Sequence, residues 1–289
     1  MKVHNILLTA VAVASSCVAV SCSSNKTGDS ATEVSNFVID ETIKTASQSY
    51  RGMIDGDTVY VTVSTSLLWP EKLGDNSLTV LQDSIRSKMF GTPTGKAGRG
   101  IDAAIKRYVA DLSAFEPDAA TDSVASKTFT PVDSVTYGGD SMRSWYTEMT
   151  GKFIDLNEQF VTYQVSQSSY AGGAHPYTGT LAFTYDLARG VVLDAQNIFV
   201  SGSFKDVLQA VKEQLAAQLE TSVDGLEEAG IFVSQLVGLG NVYLVEDAVV
   251  FHYNPYEIAP YAMGPIDVTI WGEEIQDYLT PEVKSLLID

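Results

Sequence analysis

The strongest constraint on the fold is that segments with apolar residues at every second position are joined by turns too short to hold a helix. Leu181, Phe183, Tyr185 and Leu187 alternate in this way, and a three-residue turn leads from them to Val191–Leu193. Only two residues separate Asn241–Val245 from Ala248–Asn254. Parallel neighbours need a crossover of about a dozen residues or more, so these connections predict antiparallel hairpins.

Other strands are predicted where β-branched and aromatic residues are dense. They are Thr58–Thr65, Ile266–Trp271, and two or three strands around Arg143–Thr150, Phe153–Asn157 and Phe160–Ser168.

Three further segments carry apolar residues at the spacing typical of helices. Ser203 precedes the clearest of them and is predicted to be its N-cap. The residues at this spacing are Leu78, Leu81, Ile85 and Met89, then Ile101, Ile105, Tyr108 and Leu112, then Phe204, Val207, Leu208, Val211, Leu215 and Leu219. Runs of strands interrupted by single helices predict the α+β class, with mostly antiparallel sheets and helices packed on one face.

The N-terminus has the features of a targeting segment. Lys2 precedes an apolar run from Ile6 to Val20, which is shorter than the roughly 20 residues of a membrane span. Small residues then lead to Cys22, as in the lipobox of bacterial lipoproteins. The sequence predicts a lipoprotein signal peptide over residues 1–21 and lipidation of Cys22, which would hold the protein at a membrane. Cys17 is an alternative lipidation site, and ordinary secretion with cleavage nearby is an alternative route.

The remaining chain divides into a tether and a folded part. Residues 22–36 are polar and are predicted to form a flexible tether. The chain has 2 cysteines, both in the N-terminal region. The mature fold is therefore expected to lack a disulfide framework, a thiolate metal site and a cysteine nucleophile. We predict an N-terminal α+β domain over residues 37–165 and a C-terminal α+β domain over residues 166–289.

The charge balance narrows the classes of partner. The formal net charge is −18, from 36 acidic and 18 basic residues. Such a field repels nucleic acid, so a nucleic-acid partner is not expected. It attracts cationic proteins, although acidity is also common as a means of staying soluble.

No motif in the sequence indicates a cofactor or a metal site. The segment Gly91–Ala97 is one residue too short for a phosphate-binding loop, and Ala97 stands where a Ser or Thr is required. No Gly-x-Ser-x-Gly elbow and no His-Glu-x-x-His pattern occurs. A site of His175, His252 and Glu257 would need the two loops to meet; we predict no metal site and no cofactor.

Two stretches stand out as candidate functional loops. In the first, Tyr170–Gly179, the adjacent glycines Gly172 and Gly173 are expected to turn the backbone sharply before the next strand. In the second, Asn254–Ala262, two prolines bracket four residues and stiffen the loop. A stiff loop can present aromatic side chains to a partner at a low entropy cost. The alternative is that these tyrosines only cap the core and that Glu257 pairs locally.

The two stretches together resemble a known family. The first, followed by Tyr185–Leu187, Val192–Asp194 and Asn197–Phe199, is similar to one motif, and the second, with Gly264–Ile270, is similar to its companion. Both motifs belong to a family of domains of unknown function in bacterial envelope proteins. Its members include the extracellular part of RsiV-type anti-sigma factors, which bind lysozyme, and the N-terminal region of PdaC-type peptidoglycan deacetylases. The chain has neither an anti-sigma segment nor a deacetylase motif, so the resemblance implies an envelope location, an α+β fold and ligand recognition.

The sequence therefore favours a lipid-anchored envelope domain that binds a lysozyme-like basic protein or peptidoglycan. The residues expected to bind are His175, Tyr177, Tyr256, Glu257 and Tyr261. The alternative is an enzyme or accessory factor acting on peptidoglycan or another glycan, with Glu257 and His175 as the acid–base pair.

Overall fold

A computed structural model describes residues 39–54, 56–73, 78–91, 100–113, 129–133 and 142–288. The strands are β1 (Ile39–Ile54), β2 (Asp57–Leu73), β3 (Thr130–Val132), β4 (Met142–Leu156), β5 (Phe160–Tyr170), β6 (Tyr177–Asp186), β7 (Val191–Leu193), β8 (Asn241–Val245), β9 (Ala248–Tyr253) and β10 (Ile266–Trp271). The helices are α1 (Thr79–Phe90), α2 (Ile101–Ala110), α3 (Ala195–Ile198), α4 (Phe204–Gln218), α5 (Gly272–Ile275) and α6 (Pro281–Leu287). The predicted signal peptide, Cys22 and the tether lie outside the described residues.

The strands form two sheets. The larger sheet has the order β3-β1-β2-β4-β5-β6-β7, and the smaller has the order β10-β9-β8. Every neighbouring pair is antiparallel except β2 with β4. Helices α1 and α2 bury Leu81 and Ile105 on one face of the larger sheet, and α4 buries Val211 against the smaller sheet. The predicted α+β class with mostly antiparallel sheets is confirmed.

Of the two or three strands predicted between Arg143 and Ser168, two form. Arg143–Thr150 and Phe153–Asn157 belong to one strand, because Gly151 does not turn the chain but leaves room for the Tyr163 hydroxyl, which donates to Leu68 O at 2.9 Å. The predicted hairpins and helices also form, with two local differences. The Ser203 hydroxyl does not cap α4, since it donates to Val200 O instead. Phe204 was expected on the buried face of α4, but it begins the helix on the solvent side and is 49% exposed.

The larger sheet runs through the predicted domain boundary. The boundary between residues 165 and 166 falls inside β5, and residues 37–289 form one compact unit. Strands from both sides of the boundary therefore share one hydrogen-bonded sheet.

Two asparagine side chains join the smaller sheet to β6. Strand β7 pairs with β6 only from Thr184 to Asp186. Nearer the start of β6, Asn241 Oδ1 accepts from Ala182 N at 2.7 Å and Asn241 Nδ2 donates to Ala182 O at 2.9 Å. Asn254 makes the same pair of bonds with Thr180, at 2.6 and 3.1 Å. An asparagine amide carries the donor and acceptor of a peptide group, so the two side chains stand in for a longer β7.

Two buried threonines complete the connection, and we call these four side chains the polar seam. Thr162 Oγ1 donates to Leu244 O at 2.6 Å, and Thr184 Oγ1 accepts from Leu244 N at 2.8 Å. Because Thr162 donates its hydrogen to Leu244, it accepts the 2.8 Å bond from Thr184. The N–H and C=O of Leu244, at the edge of β8, are thus both satisfied by side chains of the larger sheet.

We predict that Asn241→Ala lowers the free energy of unfolding by about 2 kcal/mol, since it removes two partly buried hydrogen bonds. Urea denaturation of the purified protein measures this loss. Gln209→Ala is the control, because Gln209 lies on the exposed face of α4 and bonds only Glu213; its effect should stay within about 0.5 kcal/mol. Equal stability of the two variants would contradict a structural role for the polar seam.

Candidate functional site

The two stretches singled out in the sequence meet on the protein surface. The loop 171–176 joins β5 to β6, and the loop 254–265 joins β9 to β10. The rings of His175 and Tyr261 stack with centroids 3.7 Å apart and an interplanar angle of 15°. Tyr256 lies beside them, with its centroid 5.6 Å from that of Tyr261. We call these three residues the aromatic cluster.

Hydrogen bonds fix the rings of the aromatic cluster to the first loop. Tyr261 donates its hydroxyl hydrogen to Pro176 O at 2.7 Å. His175 Nδ1 lies 3.0 Å from the same carbonyl, and His175 Nε2 lies 3.2 Å from the Tyr256 hydroxyl. A carbonyl can only accept, so Nδ1 carries the hydrogen, and Nε2 is then free to accept from Tyr256. Each of the three rings is therefore held by a contact from the other loop.

The glycines predicted to turn the first loop adopt backbone angles that favour glycine. Gly172 has a φ of +90° and Gly173 a φ of +101°. The Trp145 indole lies against Gly172, and Tyr170 donates its hydroxyl hydrogen to Gly173 O at 3.0 Å. The turn therefore needs flexible residues at both positions, and it sets the direction in which His175 leaves the sheet.

The second loop begins with a strained turn. Glu257 N donates to Asn254 O at 3.0 Å, with Pro255 and Tyr256 between them. Tyr256 has a φ of +73°, a value usually found at glycine or asparagine in this position of a turn. Even so, the Tyr256 side chain is 51% exposed, so no burial of the ring offsets the strain. Strain at an exposed aromatic residue is a feature of functional sites.

Glu257 holds this turn together. Its two carboxylate oxygens accept from Asn254, one from the main-chain N–H at 3.0 Å and one from the side-chain amide at 3.4 Å. The carboxylate is exposed but is occupied within its own turn. In the structure, Glu257 therefore fixes the geometry of Asn254 and Tyr256.

Tyr177 lies next to the aromatic cluster but is not part of it. It begins β6, and its ring lies across Gly179 on the helix-bearing face of the larger sheet. Its side chain is 45% exposed. Of the five residues expected to bind, three form the aromatic cluster, Glu257 supports it, and Tyr177 faces a different part of the surface.

A buried histidine beneath the loops, His252, was not among the residues expected to bind. His252 Nδ1 lies 2.6 Å from Asp267 Oδ1, and His252 Nε2 lies 3.2 Å from Asn254 Oδ1. Asn254 must present its oxygen here, because the same atom accepts from Thr180 N. Both ring nitrogens therefore face acceptors, which favours the doubly protonated imidazolium. His252 pairs with Asp267 across β9 and β10, and this pairing could be recognised only from the register of the two strands.

The surroundings of His252 act on its pKa in opposite directions. Burial lowers the pKa, but the hydrogen bonds to Asp267 and Asn254, together with the charges of Asp267 and Glu257, outweigh it. The net effect is a pKa raised above the ordinary value of a histidine.

A cavity of about 410 Å³ opens beside the aromatic cluster. Tyr261 and Met263 line one part of it, and Asn254 and Thr178 line another. Its volume is in the range of small-ligand sites in proteins. A ligand in this cavity would touch both the aromatic cluster and the polar seam.

The described residues do not form the metal site considered from the sequence. Within the described ranges, no group of three or more His, Cys, Asp or Glu side chains is placed to hold a metal ion. His252 uses both nitrogens within the fold, so His175, His252 and Glu257 do not form one ligand set. In the same ranges, no helix is long and apolar enough to cross a membrane.

Part of this site matches a described family model. Residues 196–271 match the family model described as Protein of unknown function (DUF3298). This span includes β8–β10, the strained turn, His252 and Asp267, and it excludes the loop that carries His175. The other half of the aromatic cluster therefore comes from outside the matched segment.

Two solved structures share the fold. A member of the DUF3298 family from Bacteroides fragilis NCTC 9343 is 21% identical, with a TM-score of 0.64 over 86% of this chain and 100% of that one. A DUF3298 family protein from Pseudomonas aeruginosa PAO1 is 16% identical, with a TM-score of 0.52 over 84% of this chain and 96% of that one. At these identities the likeness shows the fold alone. No curated protein sequence matches the chain.

We predict that protonation of His252 stabilises the fold. Its folded-state pKa is raised, so its contribution is fully present below its unfolded pKa of about 6.5 and is lost as the pH rises through the folded-state value. Urea midpoints measured upward from pH 6 should therefore fall more steeply for the native protein than for His252→Gln.

Asp267→Asn is a second variant that tests the direction of this pH dependence. It keeps His252 but removes the charge that favours the imidazolium, so its stability should depend less on pH than that of the native protein. If the native protein and both variants share one pH profile, His252 does not titrate in this way.

Proposed function

We propose that this chain is a lipid-anchored domain of the bacterial cell envelope that binds a partner through the aromatic cluster. The observation that carries the proposal is the Tyr256 turn, which holds an aromatic ring in solvent at a φ of +73°. Glycine or asparagine at this position would relax the turn, and residues held in such backbone conformations cluster at binding and active sites. The stacked ring of Tyr261 and the hydrogen-bonded ring of His175 support Tyr256 from one side.

The aromatic cluster has the properties of a binding surface. Tyrosine offers a large, rigid and amphipathic contact with few rotatable bonds, which keeps the entropy cost of binding low. The side chains that could act as acid or base instead hold the loops: Glu257 bonds Asn254 twice, and both nitrogens of His175 have partners. These contacts favour binding over glycan hydrolysis as the role of the two residues.

The charge near the aromatic cluster favours a cationic protein as the partner. Exposed Glu257 adjoins Tyr256, and exposed Glu227 and Glu228 lie in a segment whose Gly230 approaches Met263. With a net charge of −18, the domain would steer a basic protein toward these rings. The family resemblance makes a lysozyme-like protein the first candidate, and peptidoglycan is the other ligand class that it implies.

We predict that the domain binds a c-type lysozyme in a titration followed by calorimetry, more tightly at low than at moderate salt. Tyr256→Ala should weaken this binding about tenfold or more, because it removes a central aromatic contact. Trp271→Ala is the matched control, since Trp271 is also 51% exposed but lies at the far end of β10. No binding at low salt would remove a lysozyme-like partner, and soluble peptidoglycan fragments would then be titrated in its place.

The envelope location rests on the N-terminal sequence. We predict that the protein expressed in a bacterial host carries lipid at Cys22, so that Cys22→Ser shifts it from the membrane fraction to the soluble fraction. Metabolic labelling with a radioactive fatty acid, followed by gel analysis, measures the attachment. Cys17→Ser is the control, and loss of label in that variant alone would place the lipid at Cys17.

A further inference from the structure

A second cavity, of about 350 Å³, lies on the helix-bearing side of β6 and extends to Asn254 of the polar seam. It opens beyond the last turn of α1, where Lys88 faces the strands β4, β5 and β6. Met149, Val165 and Leu181 form its apolar part. It therefore combines a cation with an apolar floor in a protein whose net charge is −18.

Several hydrogen-bond donors at this cavity are unused. Among the described residues, the Lys88 ammonium and the hydroxyls of Ser169 and Tyr177 have no hydrogen-bond partner. Gln167 makes only a 3.5 Å contact with the hydroxyl of Thr147. Lys88, Gln167 and Tyr177 are exposed and Ser169 is half-buried, so these donors face solvent in the free protein and are available to an acceptor from outside.

Lys88 is held toward the cavity and is partly desolvated. Its ammonium lies 5.1 Å from the centroid of the Phe183 ring, a cation–π contact. Burial lowers the pKa of Lys88, and the charge of Asp194 opposes this effect. A partly desolvated ammonium gains more from a bound anion than one in open water does.

Tyr177 forms one wall of the cavity. Its ring lies across Gly179, where a Cβ atom would stand 3.3 Å from the ring, so the absence of a side chain at Gly179 allows this position. Ser169 is the direct cross-strand partner of Tyr177, which brings the two hydroxyls to one end of the cavity.

We propose that this cavity binds a small monocarboxylate, with the carboxylate on Lys88 and the hydroxyls of Ser169 and Tyr177. The short carbon body of the ligand rests on Met149, Val165 and Leu181. A single cation matches a single negative charge, and the acidity of the whole domain disfavours more highly charged anions. His175, Tyr256 and Tyr261 do not line this cavity, although Asn254 borders it as well as the cavity beside the aromatic cluster, and the proposal does not depend on the protein partner.

The test uses two probes that differ in charge and hardly in shape, N-acetylalanine and N-acetylalaninamide. Each is titrated into ¹⁵N-labelled protein at constant ionic strength, and the amide signals of Gln167, Ser169 and Gly179 are followed. The acid should give saturable shifts and the amide should not. Equal responses to both probes, or no saturable response to the acid, would overturn the proposal.

Three lysine variants test whether the Lys88 ammonium binds the carboxylate of the ligand. Lys88→Met keeps the packing of the stem but should weaken binding of the acid about tenfold or more. Lys88→Arg keeps the cation and should bind within a few-fold of the native protein. Lys205→Met makes the same change of net charge on the exposed start of α4 and should bind normally. If Lys88→Met binds like Lys205→Met, the proposal is wrong.

Tyr256→Ala separates this proposal from the one on the aromatic cluster. It should bind N-acetylalanine as the native protein does while losing the protein partner. Loss of acid binding in Tyr256→Ala would contradict the separation of the two sites.

Discussion

The arrangement of the candidate site depends on the bonds between the amide of Asn254 and the main chain of Thr180. Strand β7 is too short to cover β6 along its length, and Asn241 and Asn254 take its place with peptide-like hydrogen bonds. These bonds set where the smaller sheet lies on the larger one. Since the Asn254 turn leads directly into Tyr256, they also set where the second loop meets the first. The aromatic cluster is thus a consequence of how two sheets are joined.

The same asparagine links the protonation of a buried group to an exposed loop. His252 lies on Asn254 from below, Glu257 holds Asn254 from the solvent side, and Thr180 binds it from β6. A change of charge on His252 therefore acts on the residue that anchors the Tyr256 turn. Such coupling needs no large motion, because the three contacts share one side chain.

Much of the fold could be predicted from local patterns. Period-two segments and short turns predicted the hairpins, and apolar spacing predicted α1, α2 and α4. Strand β1 was missed because its outward positions are polar and its apolar positions are few. The sequence left open whether the two loops meet. The stacking of His175 on Tyr261 and the pairing of His252 with Asp267 could not be predicted, since they depend on the register of distant strands. The N-terminal predictions concern residues outside the described ranges.

The positive φ of Tyr256 has a consequence for how this surface changes between relatives. A tyrosine in that turn opposes the backbone, whereas glycine or asparagine would relax it. A relative with glycine at this position would therefore have a more stable turn and no ring to present to solvent there.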